Sequence, residues 1–399
     1  MKKILFVINT LGCGGAENAL ISLLNVLDDR EYEISLYVLM NQGELIDRIP
    51  ENVKILNTSY SNISVQSKAG VKVLKKYILR TMFGHDSLIK NLGYLLKNII
   101  AMKKKGAIKP DKLLWRIMSD GGVRYTEQYD LAVAYLEGGS TYYVADQVKA
   151  AKKVAFIHTD YRQAGYTREL DKGCYECYDR LFAVSDESRN AFLSVYPEYE
   201  KKIEVFHNIV DQKLIRKKAL EKGGFEDDYA GIRILTVGRL TKEKAIEVSV
   251  DAMHLLKEKG YRARWYVIGE GDQRTFLENR IRKYGLEKDF ILLGAKDNPC
   301  PYYAQTDIYV HASRYEGKSI AIQEAKTLGS PMLVSDCQGN REQITDGVNG
   351  KMCDFDAESI CQGVAWLMDN EEERKRLGKT ASKELIDNEE AIKKFLELL

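Results

Sequence analysis

No window of the 399-residue sequence approaches the roughly eighteen apolar residues that a membrane-spanning helix needs, so a transmembrane protein is not expected. Bulk charge is also missing. Sixty Lys and Arg stand against 58 Asp and Glu, and a net +2 argues neither for nor against an anionic partner. The seven cysteines, an odd number scattered from Cys13 to Cys361, make no disulfide framework and suit reduced thiols in a cytoplasm. Cys174-Tyr-Glu-Cys177 is a CxxC with no second CxxC and no histidine pair to complete a zinc site. The N-terminal run Met1-Lys-Lys-Ile-Leu-Phe-Val-Ile8 imitates a signal peptide, but Asn9-Thr10 ends it without a small-residue cleavage pattern. It reads as a buried parallel strand entering a glycine-rich loop. A cytoplasmic protein is expected.

What is present is alternation. Short β-branched runs exchange with helix-length amphipathic segments, the mark of parallel sheets built from βαβ units. Strands are expected at Ile4–Ile8, Ile34–Leu39, Leu131–Ala134, Val154–Ile157, Leu181–Val184 and Ile203–Phe206. A second set is expected at Ile232–Val237, Arg264–Ile268, Phe290–Leu292, Ile308–Val310, Met332–Val334 and Gly350–Met352. Residues 212–231 are charged and lack an apolar period, so they read as a linker between an N-terminal domain, 1–211, and a C-terminal domain, 232–385. Two such α/β domains place ligands at the carboxyl ends of their strands. Residues 386–399 read as a final helix that crosses back to the first domain.

One segment breaks the alternation. Between Ser61 and Ile117 thirteen Lys and Arg face only Asp86 and Asp111, a local balance of +11 in a chain of +2. Apolar residues interleave at helical spacing: Val71, Leu74, Ile78 and Met82, then Leu88, Leu92, Leu95, Leu96 and Ile99. Such a segment fits peripheral contact with an anionic membrane surface. The same spacing fits a solvated basic face over an ordinary core-packed helix. No RNA- or DNA-binding motif accompanies the charge, which leaves nucleic acid as the poorest partner.

Several motifs sit where an α/β fold exposes chemistry. Gly12-Cys13-Gly14-Gly15-Ala16-Glu17 follows the first strand and opens a helix. It lets backbone approach a phosphate or sugar at a helix N-terminus, or serves only as a turn. Its spacing is not GxGxxG, which weakens a nicotinamide-dinucleotide reading. His158 lies just past a strand end, with Asp160 two residues on. Thr236-Val237-Gly238-Arg239 is followed by Lys244, two cations beside a helix start and suited to a leaving diphosphate. Val267-Ile268-Gly269-Glu270-Gly271 and Leu293-Gly294-Ala295-Lys296 are further strand-to-loop turns. Asp354-Phe-Asp356 imitates a metal-binding DxD but follows a late strand, and a metal role is rejected. Most informative is Glu316-Gly317-Lys318-Ser319-Ile320 running on to Glu324. One carboxylate precedes a helix start and the other lies roughly 12 Å along it at 1.5 Å per residue. The N–H groups between them form a ready anion site, a layout that suits a nucleotide-sugar.

The E-x7-E spacing, the Gly-Gly-Ala-Glu loop, the His-Asn-x-Val-Asp run His207–Asp211 and the Gly-Arg-to-Lys spacing resemble the retaining glycosyltransferases of family 4, the group 1 transferases. Two departures stand out: Ile209 and Ala245 occupy positions where that family usually has glycine. The resemblance implies a GT-B fold, two facing Rossmann-like domains with an interdomain cleft. It implies metal-independent transfer of a sugar from a nucleoside-diphosphate sugar, UDP-linked, with retained configuration and no cofactor. It assigns the departing diphosphate to Arg239 and Lys244, and the sugar and its phosphate to Glu316, Gly317, Lys318, Ser319 and Ile320. The ribose goes to Glu324, the transferred sugar to His158, and the donor diphosphate or the acceptor to Gly14 and Gly15. The acceptor is expected to be a saccharide, lipid-linked at the inner membrane face, in surface polysaccharide or glycoconjugate assembly. A soluble acceptor remains open, as do a non-catalytic sugar-nucleotide-binding partner of another transferase and a phosphorylase or epimerase on the same fold.

Overall fold

The computed structural model describes the chain except residues 13, 28–30, 66, 105–109, 315, 317 and 385–387, and gives backbone only for 104, 110, 111 and 163. Cys13 and Gly317, named above, and Lys105 and Lys109 of the basic segment therefore lie outside the described residues. The chain forms two compact units, Met1–Ile209 with Asn388–Leu399, and Val210–Asp387.

The first unit is built on seven parallel strands: β1 (Lys2–Ile8), β2 (Tyr32–Val38), β3 (Val53–Ile55), β4 (Gln128–Ala134), β5 (Lys149–Ile157), β6 (Arg180–Ala183) and β7 (Ile203–Val205). Their order is β3-β2-β1-β4-β5-β6-β7. β1 sits centrally, and Ile4 through Ile8 are buried, as expected of a parallel strand covered on both faces. The short edge strand β3 was not legible, because its three residues bury only Val53. The order reverses between β1 and β4, so the crevice at the carboxyl ends of these two strands is the position where doubly wound sheets bind ligands. The helices that matter here are α1 (Gly15–Val26), α2 (Lys68–Met82), α3 (Ser87–Lys90), α4 (Leu92–Lys104), α5 (Pro110–Gly121) and α6 (Gly139–Gln147). The final helix, Glu389–Leu396, packs on this unit, where the Phe395 ring stacks on Phe6 at 5.8 Å.

A buried polar knot braces this unit behind β5. The Asp171 carboxylate accepts the hydroxyls of Tyr142 at 2.8 Å, Tyr161 at 2.7 Å and Tyr196 at 2.6 Å. Burial raises the Asp171 carboxyl to about 6, against the tyrosine hydrogen bonds and the Arg116 charge, which lower it. Because the folded-state value lies above the ordinary 3.8, the folded chain holds this proton more tightly than the unfolded chain does. Asp171 therefore adds stability at low pH, and that addition is lost as pH rises through about 6. Asp171→Ala takes this partner from the Tyr142 and Tyr196 hydroxyls and leaves Tyr161 only the Tyr175 hydroxyl at 3.0 Å, and is expected to cost about 3–6 kcal/mol in urea unfolding. Asp171→Asn is expected to remove the extra fall in stability between pH 4 and 6.

The second unit carries six parallel strands: β8 (Ile232–Val237), β9 (Ala263–Ile268), β10 (Phe290–Gly294), β11 (Ile308–His311), β12 (Met332–Ser335) and β13 (Lys351–Cys353). Their order is β10-β9-β8-β11-β12-β13. Here the reversal lies between β8 and β11.

The reading of 212–231 as a linker is corrected. Gln212–Ala219 is a helix capped by Asp211, whose carboxylate accepts the Leu214 N–H at 2.9 Å. Its one buried side chain, Ile215, packs with Val210 and Cys300. Further on, Phe225 lies against Tyr266 at 4.5 Å, and Asp227 receives hydrogen bonds from Arg233, Arg264 and the Tyr266 hydroxyl. A single buried apolar anchor in an eight-residue helix with four cations leaves no period to detect, yet it suffices to dock the helix.

Candidate active site

In the second unit the loops after neighbouring strands are laced together by backbone. Gly238 donates to the Ile268 carbonyl at 3.0 Å, Leu240 to Glu270 at 2.9 Å, and Gly269 to Gly294 at 2.9 Å. Two glycines are obligatory at this seam. A Cβ on Gly269, whose φ is +149°, would stand 1.9 Å from the Gly238 oxygen, and one on Gly271 2.2 Å from the Leu240 oxygen. The glycine-rich turns thus bring the β8, β9 and β10 loops to one rim, at the end of the sheet where the strand order reverses.

Arg239 stands exposed on this rim. Lys244 does not stand free: its ammonium is ion-paired with the Glu316 carboxylate, the two side chains being 19% and 10% exposed. The same Glu316 oxygen accepts from His311 Nε2 at 2.8 Å and Ser313 Oγ at 2.7 Å. Burial would raise the Glu316 carboxyl, but the Lys244 charge and His311 outweigh it and hold the group well below the usual carboxylate range. Burial likewise lowers His311, against the pull of Glu316. A neutral imidazole beside an ionised carboxylate must carry its proton on Nε2. Its Nδ1 then accepts from the Tyr309 hydroxyl at 2.9 Å, which fixes the ring. Of the two cations expected to meet a diphosphate, Arg239 is exposed and Lys244 is ion-paired with Glu316. Strand β11 ends at His311, with Ser313 two residues on, and both hold Glu316 so that it meets Lys244.

Beyond Glu316 the chain enters the helix Ile320–Leu328, whose start at Ser319 carries no side-chain cap. A helix start without such a cap offers its first N–H groups to a ligand or to water. Lys318 stands beside that start, half-buried, and burial lowers its ammonium value against the nearby Glu342 charge. Glu324 lies half-buried on the helix, close enough for its charge to raise the buried phenols of Tyr303 and Tyr309 further, after burial itself. Ala245, where the resemblance calls for glycine, sits at φ +47°. A left-handed alanine costs about 1–2 kcal/mol, but its fully buried methyl recovers about 0.8 kcal/mol. The lower entropy of the unfolded alanine chain recovers about as much again, which explains how alanine is tolerated.

In the first unit the reversal point gathers a second group. Gly14 and Gly15 open α1, also without a side-chain cap. Asn9, after β1, donates to the Glu137 carbonyl at 2.9 Å and accepts the Ser140 N–H at 2.7 Å. The buried Glu137 carboxylate, after β4, accepts the N–H groups of His158 at 2.6 Å and Thr159 at 2.8 Å, and the Thr159 hydroxyl at 2.9 Å. His158 itself lies against the Tyr135 ring at 5.1 Å, and its Nε2 is sealed from solvent without a hydrogen-bond partner. Burial lowers its pKa to about 4, so the imidazole is neutral at physiological pH. Glu137 and Asn9 escaped sequence reasoning, although each lies just past a strand end at the reversal, the signal that singled out His158. Glu137→Ala releases two backbone donors behind the imidazole and is expected to lower kcat about 10–100-fold with little change in donor KM. Glu137→Gln keeps an acceptor oxygen and is expected to restore most of that rate.

Asp356 caps the helix Ala357–Asp369 by accepting the Ser359 N–H at 2.8 Å. Cys174 and Cys177 are free thiols, and no metal-ligand cluster is found among the described residues. His207 Nδ1 lies 3.4 Å from the Val184 carbonyl.

Residues 220–384 match the family model described as glycosyl transferases group 1. The chain is 26% identical to a Campylobacter jejuni N-acetylgalactosamine-N,N'-diacetylbacillosaminyl-diphospho-undecaprenol 4-alpha-N-acetylgalactosaminyltransferase over 94% of this chain and 92% of that protein. It is 23% identical to the amylovoran biosynthesis glycosyltransferase AmsD of Erwinia amylovora over 96% and 94% of the two chains. Among solved structures, Anabaena Alr3699/HepE in complex with UDP-glucose superposes with a TM-score of 0.68 at 16% identity, covering all of both chains. The protein is a glycosyltransferase of the GT-B fold. The family-model match lies wholly within the second unit.

Proposed function

We propose that this protein transfers a glycosyl unit from a UDP-sugar to a lipid-linked saccharide, with retained anomeric configuration, in the assembly of a surface polysaccharide or glycoconjugate. The observation that carries the reading is the cluster at the reversal of the second sheet. Lys244, Glu316 and His311 lie in hydrogen-bonded register beside an uncapped helix start. In this reading the diphosphate meets Arg239, Lys244 and the N–H groups from Lys318 to Ile320, so the chain supplies its own positive charge where the leaving group develops negative charge. Glu316, held ionised by Lys244, accepts hydroxyls of the sugar once the ammonium turns toward phosphate. Glu324 accepts the ribose hydroxyls, and His158 touches the transferred sugar. The leaving phosphate oxygen helps to deprotonate the acceptor on the same face.

UDP is favoured because HepE was solved with UDP-glucose, and the diphospho-undecaprenol in the Campylobacter relative's name favours a lipid carrier. The test is incubation with UDP-, GDP- and ADP-sugars and a polyprenyl-diphosphate saccharide, read by mass spectrometry. A mass gain of one sugar on the lipid acceptor, from UDP donors and undiminished by EDTA, is expected. Release of free sugar alone, with the lipid acceptor unchanged, would count against it.

A further inference from the structure

Helices α2 to α4 are unusual in having apolar residues on the outside. On α4 one face is ordinary core: Tyr94, Leu95, Ile99 and Met102 pack with Leu113 and Leu170, and the Tyr94 hydroxyl donates to the Leu170 carbonyl at 3.1 Å. The other face is apolar too. Leu92, Leu96 and Ile100, four residues apart, are 54%, 55% and 56% exposed, and Ile89 and Phe83 just before them are 75% and 71% exposed. Eight of the sixteen exposed large apolar residues among the described ones fall between Ile63 and Ile100. Scattered exposed leucines need no explanation, but a periodic row of them does.

Cations surround the row. Lys90, Lys97 and Lys103 are exposed beside it, and α2 exposes Lys68, Lys72, Lys75, Lys76 and Arg80. Between residues 61 and 104 the only acid is Asp86. A protein partner fits this poorly, since interface cores are depleted in lysine. An anionic bilayer supplies both complements at once, phosphates for the lysines and acyl chains for the row. From Ile89 to Ile100 the row runs roughly 16 Å, too short to span a hydrocarbon core of about 30 Å but suited to lying in its surface.

We propose that α3 and α4 seat Ile89, Leu92, Leu96 and Ile100 among the acyl chains of an anionic leaflet, with the lysines of α2 and α4 at phosphate level. The proposal deepens the lipid-linked acceptor reading and rests on it only for its purpose, since membrane binding is measurable without transfer. The decisive comparison sets wild type against the triple variant L92S/L96S/I100S on vesicles of phosphatidylethanolamine and phosphatidylglycerol, at about 0.1 M and about 1 M salt. All three side chains are more than half exposed, so the variant is expected to keep the wild-type melting temperature and UDP affinity.

Wild type is expected to bind, to retain part of its binding in high salt, and to raise the surface pressure of a phosphatidylglycerol monolayer. The triple variant is expected to bind at least tenfold more weakly in low salt, to dissociate in high salt and to leave the monolayer pressure unchanged. Equal vesicle binding and equal monolayer insertion by the two proteins would overturn the proposal. So would a wild-type dimer that ignores vesicles and becomes monomeric in the variant, which would make the row a contact between two copies. If vesicle binding is absent while UDP-sugar is still consumed, the surface assignment falls and the transferase reading stands. If binding occurs and no donor is turned over, only the transferase reading falls.

Discussion

Lys244→Met is expected to lower kcat/KM for sugar transfer by about 100–1,000-fold, the cost of removing one preorganised charge from a developing oxyanion. The stability change should be equally diagnostic. Lys244 is the principal charge that offsets the burial of Glu316. Breaking a buried pair on one side costs about 3–5 kcal/mol, and the loss here should fall near the lower end because His311 and Ser313 still donate to the carboxylate. The pH dependence then changes sign. In wild type the Glu316 carboxyl lies below its ordinary 4.5, so its contribution is present above that value and is lost as pH falls. Without Lys244 burial dominates, the carboxyl rises, and its contribution is lost as pH increases instead. Urea unfolding of both proteins between pH 4 and 8 checks this. Parallel stability curves would show that the ion pair does not set the carboxylate.

Glu324→Ala carries the second large effect. A carboxylate that accepts two ribose hydroxyls contributes about 1.5–3 kcal/mol per charged hydrogen bond. Its removal is therefore expected to raise the donor KM by about 100-fold or more. The fold should be retained, because Glu324 is a half-buried position on a helix whose core contacts come from Ile322 and Ala325. Turnover at saturating donor is expected to fall far less than in Lys244→Met, since the ribose is bound alike before and during the reaction. Initial rates over a range of donor concentrations separate the two variants. A fall in kcat with unchanged KM for Glu324→Ala would place this residue at the reacting centre instead of the ribose.

Much of this architecture is legible in the residues. Eleven of the thirteen strands follow from β-branched runs such as Ile4–Ile8 and Ile232–Val237, and a twelfth, Gly350–Met352, is met by Lys351–Cys353. What escapes is whatever depends on side chains meeting across the sheet. Lys244 and Glu316 are each conspicuous in their own motif, but their pairing requires β8 and β11 to be neighbours, which only the strand order decides. His311 lies inside an apolar run, Ile308 to Ala312, and gives no local sign that its two nitrogens join Tyr309 to Glu316. The role of Glu137 was hidden for the same reason, since its carboxylate serves backbone just past a different strand, β5. The basic segment is a different case. Its composition was read correctly, but a helical period cannot tell a face that packs from one that does not, and α4 has apolar residues on both.

The most direct test of the account is calorimetric titration of UDP into wild type and Glu324→Ala. One saturable site in wild type, weakened about 100-fold or more in the variant, is the expected result. Equal affinity in the two proteins, or no binding to wild type, would contradict a donor site built on the helix Ile320–Leu328.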